Sequence, residues 1–122
     1  GLDRIILEMK RTQVKPYNEP KARVFLAQLG DMAKKKSLKL FAELEKNGIL
    51  IAESFGRGSL KSQLRVANRL GVEVTVIVGQ KEALDETAIV KDMISGTQET
   101  VTNERIVDAI KKILKTNQEL KV

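Results

Sequence analysis

Ile49-Leu50-Ile51-Ala52, followed by Gly56-Arg57-Gly58-Ser59-Leu60-Lys61-Ser62-Gln63-Leu64 and closed by Ala67 and Leu70-Gly71, reads as a strand, a glycine turn and a short helix. That succession is a standard anion platform, because the first backbone N–H groups of a helix and the positive end of its dipole point at whatever docks there. Ser59 is a good N-cap, worth about 1 kcal/mol to the helix. Leu60, Leu64 and Ala67 fall on one helical face, while Lys61, Arg65 and Arg69 run along the opposite one. From Arg57 to Arg69 there are four basic residues and no acidic one. The pattern points to a polyanion, and to RNA before a mononucleotide.

Outward from this stretch the chain alternates. Val24 to Ala27 reads as a strand, and residues 31 to 47 as a helix burying Ala33, Leu40, Phe41 and Leu44, with Gly48 as its C-terminal stop. Ile49 to Ser54 is the second strand and Ser59 to Leu70 the basic helix. Val72 to Val78 is so uniformly apolar and β-branched that it reads as a central strand covered on both faces. Thr87 to Ile94 and Gln98 to Thr102 read as two further strands around a turn at Ser95-Gly96. A last helix from near Asn103 buries Ile106, Val107, Ile110, Ile113 and Leu114, with a frayed tail after Lys115. Strand–helix–strand–helix–strand order implies right-handed crossovers and a parallel core, so the fold class expected is α/β, a three-layer α/β/α sandwich with about three helices. Residues 2 to 10 read as a separate helix, and residues 11 to 22, with Pro16 and Pro20, as a linker.

The 122 residues suffice for one domain with a real core. The chain is 42% hydrophobic and 31% charged, which is ordinary for a soluble globular protein, and its net charge of +6 suits a partner rich in phosphate. It has no cysteine and no histidine. Disulfides, thiol nucleophiles, imidazole bases and the usual zinc sites are therefore excluded. No apolar run approaches the ~20 residues of a membrane span and no signal peptide is visible, which makes the expected location cytoplasmic.

The glycine turn fits neither nucleotide motif. Lys61 stands where a dinucleotide fingerprint needs its third glycine, and the spacing of a Walker loop is absent. Two readings remain: contact with RNA through Arg57, Ser59, Lys61 and Arg65, or a turn whose glycines serve geometry alone. Glu82 falls just past the carboxyl end of the central strand, where open α/β sheets place ligands. A carboxylate there can accept from guanine's N1–H and N2–H₂ edge, and Lys91 can donate to O6 or N7. The alternative for this pair is a surface ion pair between loop and strand. Gln28 and Gln98 can hydrogen-bond a base edge or merely satisfy backbone at the sheet ends. Phe55 is either core or a stacking platform, with the Arg57 guanidinium as a second platform. Lys34-Lys35-Lys36 is most simply a solvated helix face.

Gly-x-x-Ser59-Leu60-Lys61-x-Gln63-Leu64-x-x-Ala67-x-x-Leu70-Gly71 resembles the middle of the anticodon-binding domain of histidyl-tRNA synthetases. Leu29-Gly30-Asp31-x-Ala33-Lys34-Lys35, Gly79-Gln80-Lys81-Glu82, and Val90-Lys91-Asp92-Met93 running to Gly96-Thr97-Gln98-Glu99 match in the same order, over roughly residues 23 to 115. Gly1-Leu2-Asp3-Arg4 resembles the end of class II motif 3, in which the arginine contacts ATP; Asp3 departs from the usual Glu. The resemblance implies a five-stranded mixed sheet in order 2-1-3-4-5 with strand 4 antiparallel. It divides the chain into a catalytic-domain remnant (1–10), a linker (11–22) and an anticodon-binding domain (23–122). It also implies a parent enzyme, cytoplasmic and homodimeric, that uses ATP and magnesium to charge the histidine tRNA, of which this chain, lacking an initiator Met, is an excised piece with no cofactor of its own. In the related threonine enzymes a Glu and an Arg at the spacing of Glu82 and Lys91 read the anticodon; Lys91 gives up the bidentate geometry of arginine. Two other functions fit the same chain: a regulatory synthetase-like paralogue that senses tRNA without charging it, and a flavodoxin-like module for a small molecule.

Overall fold

The computed structural model describes residues 21–53 and 58–120. Nine elements follow one another: β1 (Val24–Gln28), α1 (Asp31–Lys46), β2 (Ile51–Glu53), α2 (Leu60–Leu70), β3 (Val74–Val78), α3 (Gln80–Asp85), β4 (Thr87–Asp92), β5 (Gln98–Thr102) and α4 (Ile106–Leu120). The strands make one five-stranded sheet in the order β2-β1-β3-β4-β5. β1 pairs in parallel with β2 and β3, and β4 runs antiparallel to both β3 and β5. The expected α/β sandwich, strand order and reversed fourth strand are all present.

The alternation of side chains along each strand separates two apolar layers. Val24, Leu26, Val74, Val76, Val78, Ala88 and Val90 face α1, α3 and α4 through Ala33, Leu40, Leu44, Ala83, Ile106, Ile110 and Leu114. Phe25, Ala27 and Ile77 face the other way, onto α2 through Ala67, Leu60 and Leu64. β1 and β3 are buried throughout, which is why their sequences are continuous apolar runs.

Several boundaries differ from the sequence reading for local reasons. β2 begins at Ile51 because the two residues before it serve other partners: the Ile49 N–H donates to Leu44 O to close α1, and Leu50 O accepts from the N–H groups of Arg23 and Val24. Gly48, at φ +80, supplies the left-handed residue that this closure needs. β4 stops at Asp92, whose Oδ1 accepts from the Ile94 N–H at 3.0 Å and bends the chain into the turn at Ser95-Gly96. α4 starts at Ile106, since the Asn103 N–H is spent on Glu86 O, and it continues to Leu120 where a frayed tail was expected. α3 is an unforeseen fourth helix of six residues. Residues 1–20 and 54–57, with Arg4, Phe55, Gly56 and Arg57, lie outside the described residues, so the remnant helix and most of the linker do too.

Candidate nucleic-acid interface

α2 is built as its sequence suggests. Gly58, at φ +82, turns the chain, and Ser59 in extended backbone accepts from the Ser62 N–H at 3.1 Å. Ser62 in turn donates from Oγ to Ser59 O at 2.9 Å. Gly71, at φ +72, ends the helix, with the Val72 N–H returning to Ala67 O. Ala67 and Gln63 are buried, and Lys61, Arg65 and Arg69 are all exposed. With no acidic residue in the first turn, the N-terminal dipole and these three cations act with one sign.

Gln63 is the side chain that joins this helix to the sheet. β2 ends at Glu53, paired with Leu26, so the outer edge of Gln28 has no β2 residue in the ladder. The Gln63 amide takes that place. Its Oε1 accepts from the Gln28 N–H at 2.9 Å, and its Nε2 donates to Gln28 O at 2.8 Å and to Gly58 O at 3.3 Å. Gln63 is 1% exposed, so each of these bonds satisfies a group removed from water. Its position was readable: 60, 63, 64 and 67 are the i, i+3, i+4, i+7 set of one helical face, and a polar residue in that stripe needs partners.

Gln28, also buried, donates from Nε2 to Glu53 Oε2 at 3.2 Å, while its own Oε1 is buried without a partner among the described residues. Burial holds the Glu53 carboxyl above its ordinary range, and the Lys34 ammonium offsets part of that rise. Glu53 was read only as strand, and the acidic residue closing an apolar run was its one signal. Gln28 pairs with Val78 at the end of β3, so Gln28 and the β3–α3 junction share one end of the sheet. There Glu82 is part of a helix, not a loop. Its Oε1 accepts from the Gly79 N–H at 2.8 Å, capping α3 and leaving the other carboxylate oxygen without a partner among the described residues.

Lys91 and Gln98 stand directly opposite each other on β4 and β5. Lys91 alternates with Ile89 and Met93, which pack in the α2-side layer, so the pair lies on the sheet face that α2 shares. Beyond α2 this face is polar, with Gln98, Thr100 and Thr102 exposed. Lys91 is opposite Thr75, near the amino end of β3, whereas Glu82 follows its carboxyl end. The sheet therefore brings Lys91 to Gln98 and holds Glu82 and Lys91 apart, while Gln63 links the Gln28 backbone to Gly58. Lys34 and Lys35 are exposed and Lys36 is half-buried, as a solvated helix face requires. Across the sheet, the hollow between β5 and α4 carries both signs of charge, Glu99 and Asp108 against Arg105 and Lys112. Among the described residues no cluster of acidic side chains could hold a metal ion, and no helix is long and apolar enough to cross a membrane.

Comparison with known proteins agrees with this architecture. Residues 23–113 match the protein family described as the anticodon binding domain. The chain is 38% identical over 112 residues to the histidine–tRNA ligase of Dehalococcoides mccartyi, covering 92% of this chain and 27% of the ligase. The crystal structure of histidyl-tRNA synthetase from Nostoc sp. PCC 7120 superposes with a TM-score of 0.72 at 26% identity, over 93% of this chain and 28% of that one. Apo histidyl-tRNA synthetase from Staphylococcus aureus does so with a TM-score of 0.67 at 27% identity, over 88% and 32%. The chain belongs to the anticodon-binding domain family, and the relatives named above are histidyl-tRNA synthetases. It spans about a quarter of the length of the curated relatives it matches (27%).

Proposed function

We propose that this chain grips the anticodon stem–loop of a histidine tRNA, as the RNA-reading part of a homodimeric cytoplasmic enzyme that activates histidine with ATP and magnesium and transfers it to that tRNA. The observation that carries this reading is the one-signed outer face of α2, Lys61, Arg65 and Arg69, on the side of a sheet face that presents Gln98, Thr100, Thr102 and Lys91 in place of an apolar surface. Phosphates follow the α2 cations, Arg57 and the N–H groups at Ser59. Bases meet Glu82 at the sheet end and Lys91 with Gln98 on the open face, whereas Gln28, expected as a further base contact, is buried with its amide tied to Glu53. Because Glu82 and Lys91 stand apart, they address different nucleotides. Arg4 stands where class II motif 3 places its ATP-contacting arginine.

The test is binding of the 122-residue chain to an anticodon stem–loop carrying the GUG anticodon of a histidine tRNA. The expected result is tighter binding to it than to the same arm with adenine at either end of the triplet. Equal binding to every triplet overturns the reading. The same preparation should catalyse neither ATP–pyrophosphate exchange nor aminoacylation.

A further inference from the structure

We infer that Ile89 is the floor on which one unpaired base of the anticodon loop lies, with Thr100 beside it addressing the edge of that base; this rests on the function proposed above. α2 packs onto β1 and leaves the β4–β5 half of its sheet face open, where Gln98, Thr100 and Thr102 are exposed. Ile89 stands in the middle of that half. Thr100 is directly opposite it on β5, Thr87 and Lys91 are two residues away along β4, and Thr102 and Gln98 stand opposite those two. Ile89 packs against the layer of Phe25 and Ile77 yet is only half-buried, whereas its β3 neighbour Ile77 is 7% exposed. Neighbouring strands lie ~4.8 Å apart and alternate residues of a strand ~6.8 Å apart, so the surrounding side chains stand where the edges of a base resting on Ile89 would fall. Single-stranded bases usually find an aromatic floor. Of the three Phe and one Tyr in the chain, Phe25 is 1% exposed, Phe41 packs in the opposite layer, and Tyr17 and Phe55 lie outside the described residues. On this face a branched aliphatic side chain supplies the dispersion contact instead. Charge selects the occupant. Asp92 and Glu99 fall on the opposite face with Val90 and Val101, so no residue of β4 or β5 on the open face is acidic, and Lys91 adds to the cations of α2. Three hydroxyls, an amide and an ammonium around an apolar centre offer both donors and acceptors, which a nucleobase edge uses and an apolar protein surface leaves unpaired.

The experiment compares binding of the 122-residue chain to the GUG stem–loop and to three arms that each lack one base of the triplet. Ile89→Ala should weaken binding to the GUG arm about fivefold, the low end of what one stacked base contributes, and leave the salt slope unchanged. The effect should vanish on one of the three abasic arms, the one missing the base that lies on Ile89, and persist on the other two. Ile89→Phe keeps an apolar side chain of full size at this strand position and widens the floor. It should tighten binding to the GUG arm about threefold, with the gain lost on the same abasic arm. Thr100→Val removes one hydroxyl at constant shape and should lower the preference for guanine over adenine at that same position two- to threefold. Folded Ile89→Ala and Ile89→Phe chains that bind the GUG arm as the parent does overturn the inference, as do changes that are equal on the GUG arm and all three abasic arms. Either result leaves the proposed function standing if the parent chain prefers the GUG arm. A parent chain without base preference overturns the proposed function, and the abasic pattern of the Ile89 variants still decides the floor.

Discussion

Glu82 shows how one side chain can serve structure and recognition together. Its cap on α3 uses one oxygen, and glutamine can make the same contact through its carbonyl oxygen. Glu82→Gln should therefore leave stability within about 0.5 kcal/mol of the parent, while Glu82→Ala should lose about 1 kcal/mol, read from urea unfolding. In stem–loop binding, Glu82→Gln should relax the preference for guanine at one anticodon position by roughly 1–3 kcal/mol. Unchanged preference at all three positions would assign Glu82 to the cap alone. Glu53 gives a pH prediction. A carboxyl whose folded pKa is raised binds its proton more tightly in the folded state, so stability is lost as pH rises from the unfolded value through the folded one. For Glu53 that window opens at the ordinary value of 4.5 and extends upward. Glu53→Gln removes the titrating group, so its unfolding free energy should fall less than the parent's between the lower end of that window and neutrality. Parallel curves for the two proteins would show that the carboxyl is not penalised by burial.

At the scale of the element, α2 concentrates the electrostatics. If Arg57, Lys61, Arg65 and Arg69 neutralise about three or four phosphates of a single-stranded loop, the log–log salt slope should be about −2 to −3. Lys61→Ala with Arg65→Ala should flatten that slope and weaken binding to all stem–loops alike. A slope equal to the parent's would place the phosphate track on another surface. The apolar stripe, the Ser59 cap and the Gly71 stop of α2 were all legible, because each is a local consequence of residue type at helical spacing. α3 was not legible. Six residues with only Ala83 buried carry too little periodicity to announce a helix, and its ends are fixed by the Glu82 cap and by Glu86 at φ +56.

For the whole molecule, the amino ends of β1 and β3 share a polar fastening. Arg23 donates to both oxygens of Glu73, at 2.6 and 3.1 Å, and to Leu114 O at 3.2 Å, so β1, β3 and α4 are tied at one point. The Glu73 side chain is 11% exposed, which lifts this pair above an ordinary surface ion pair. Arg23→Met keeps the aliphatic stem and should cost about 2 kcal/mol of stability, measured by urea unfolding. Stem–loop affinity of the folded variant should be unchanged, because the Arg23 guanidinium is spent on Glu73 and Leu114 O. A folded Arg23→Met chain with weakened RNA binding would extend the interface to Arg23.

The strand–helix alternation, the buried central strand, the basic face of α2 and the resemblance to histidyl-tRNA synthetase anticodon domains were all contained in the sequence, since each depends on neighbours within one or two turns or on motif order. Tertiary structure alone decided which of those residues meet. The pairing of β4 with β3 sets Lys91 against Thr75 and away from Glu82, because register between strands distant in the chain is a pairing that no local pattern specifies. The early end of β2 leaves the edge of Gln28 open, and a glutamine 35 positions away in the chain fills it, because a buried backbone group takes the nearest partner that the fold supplies.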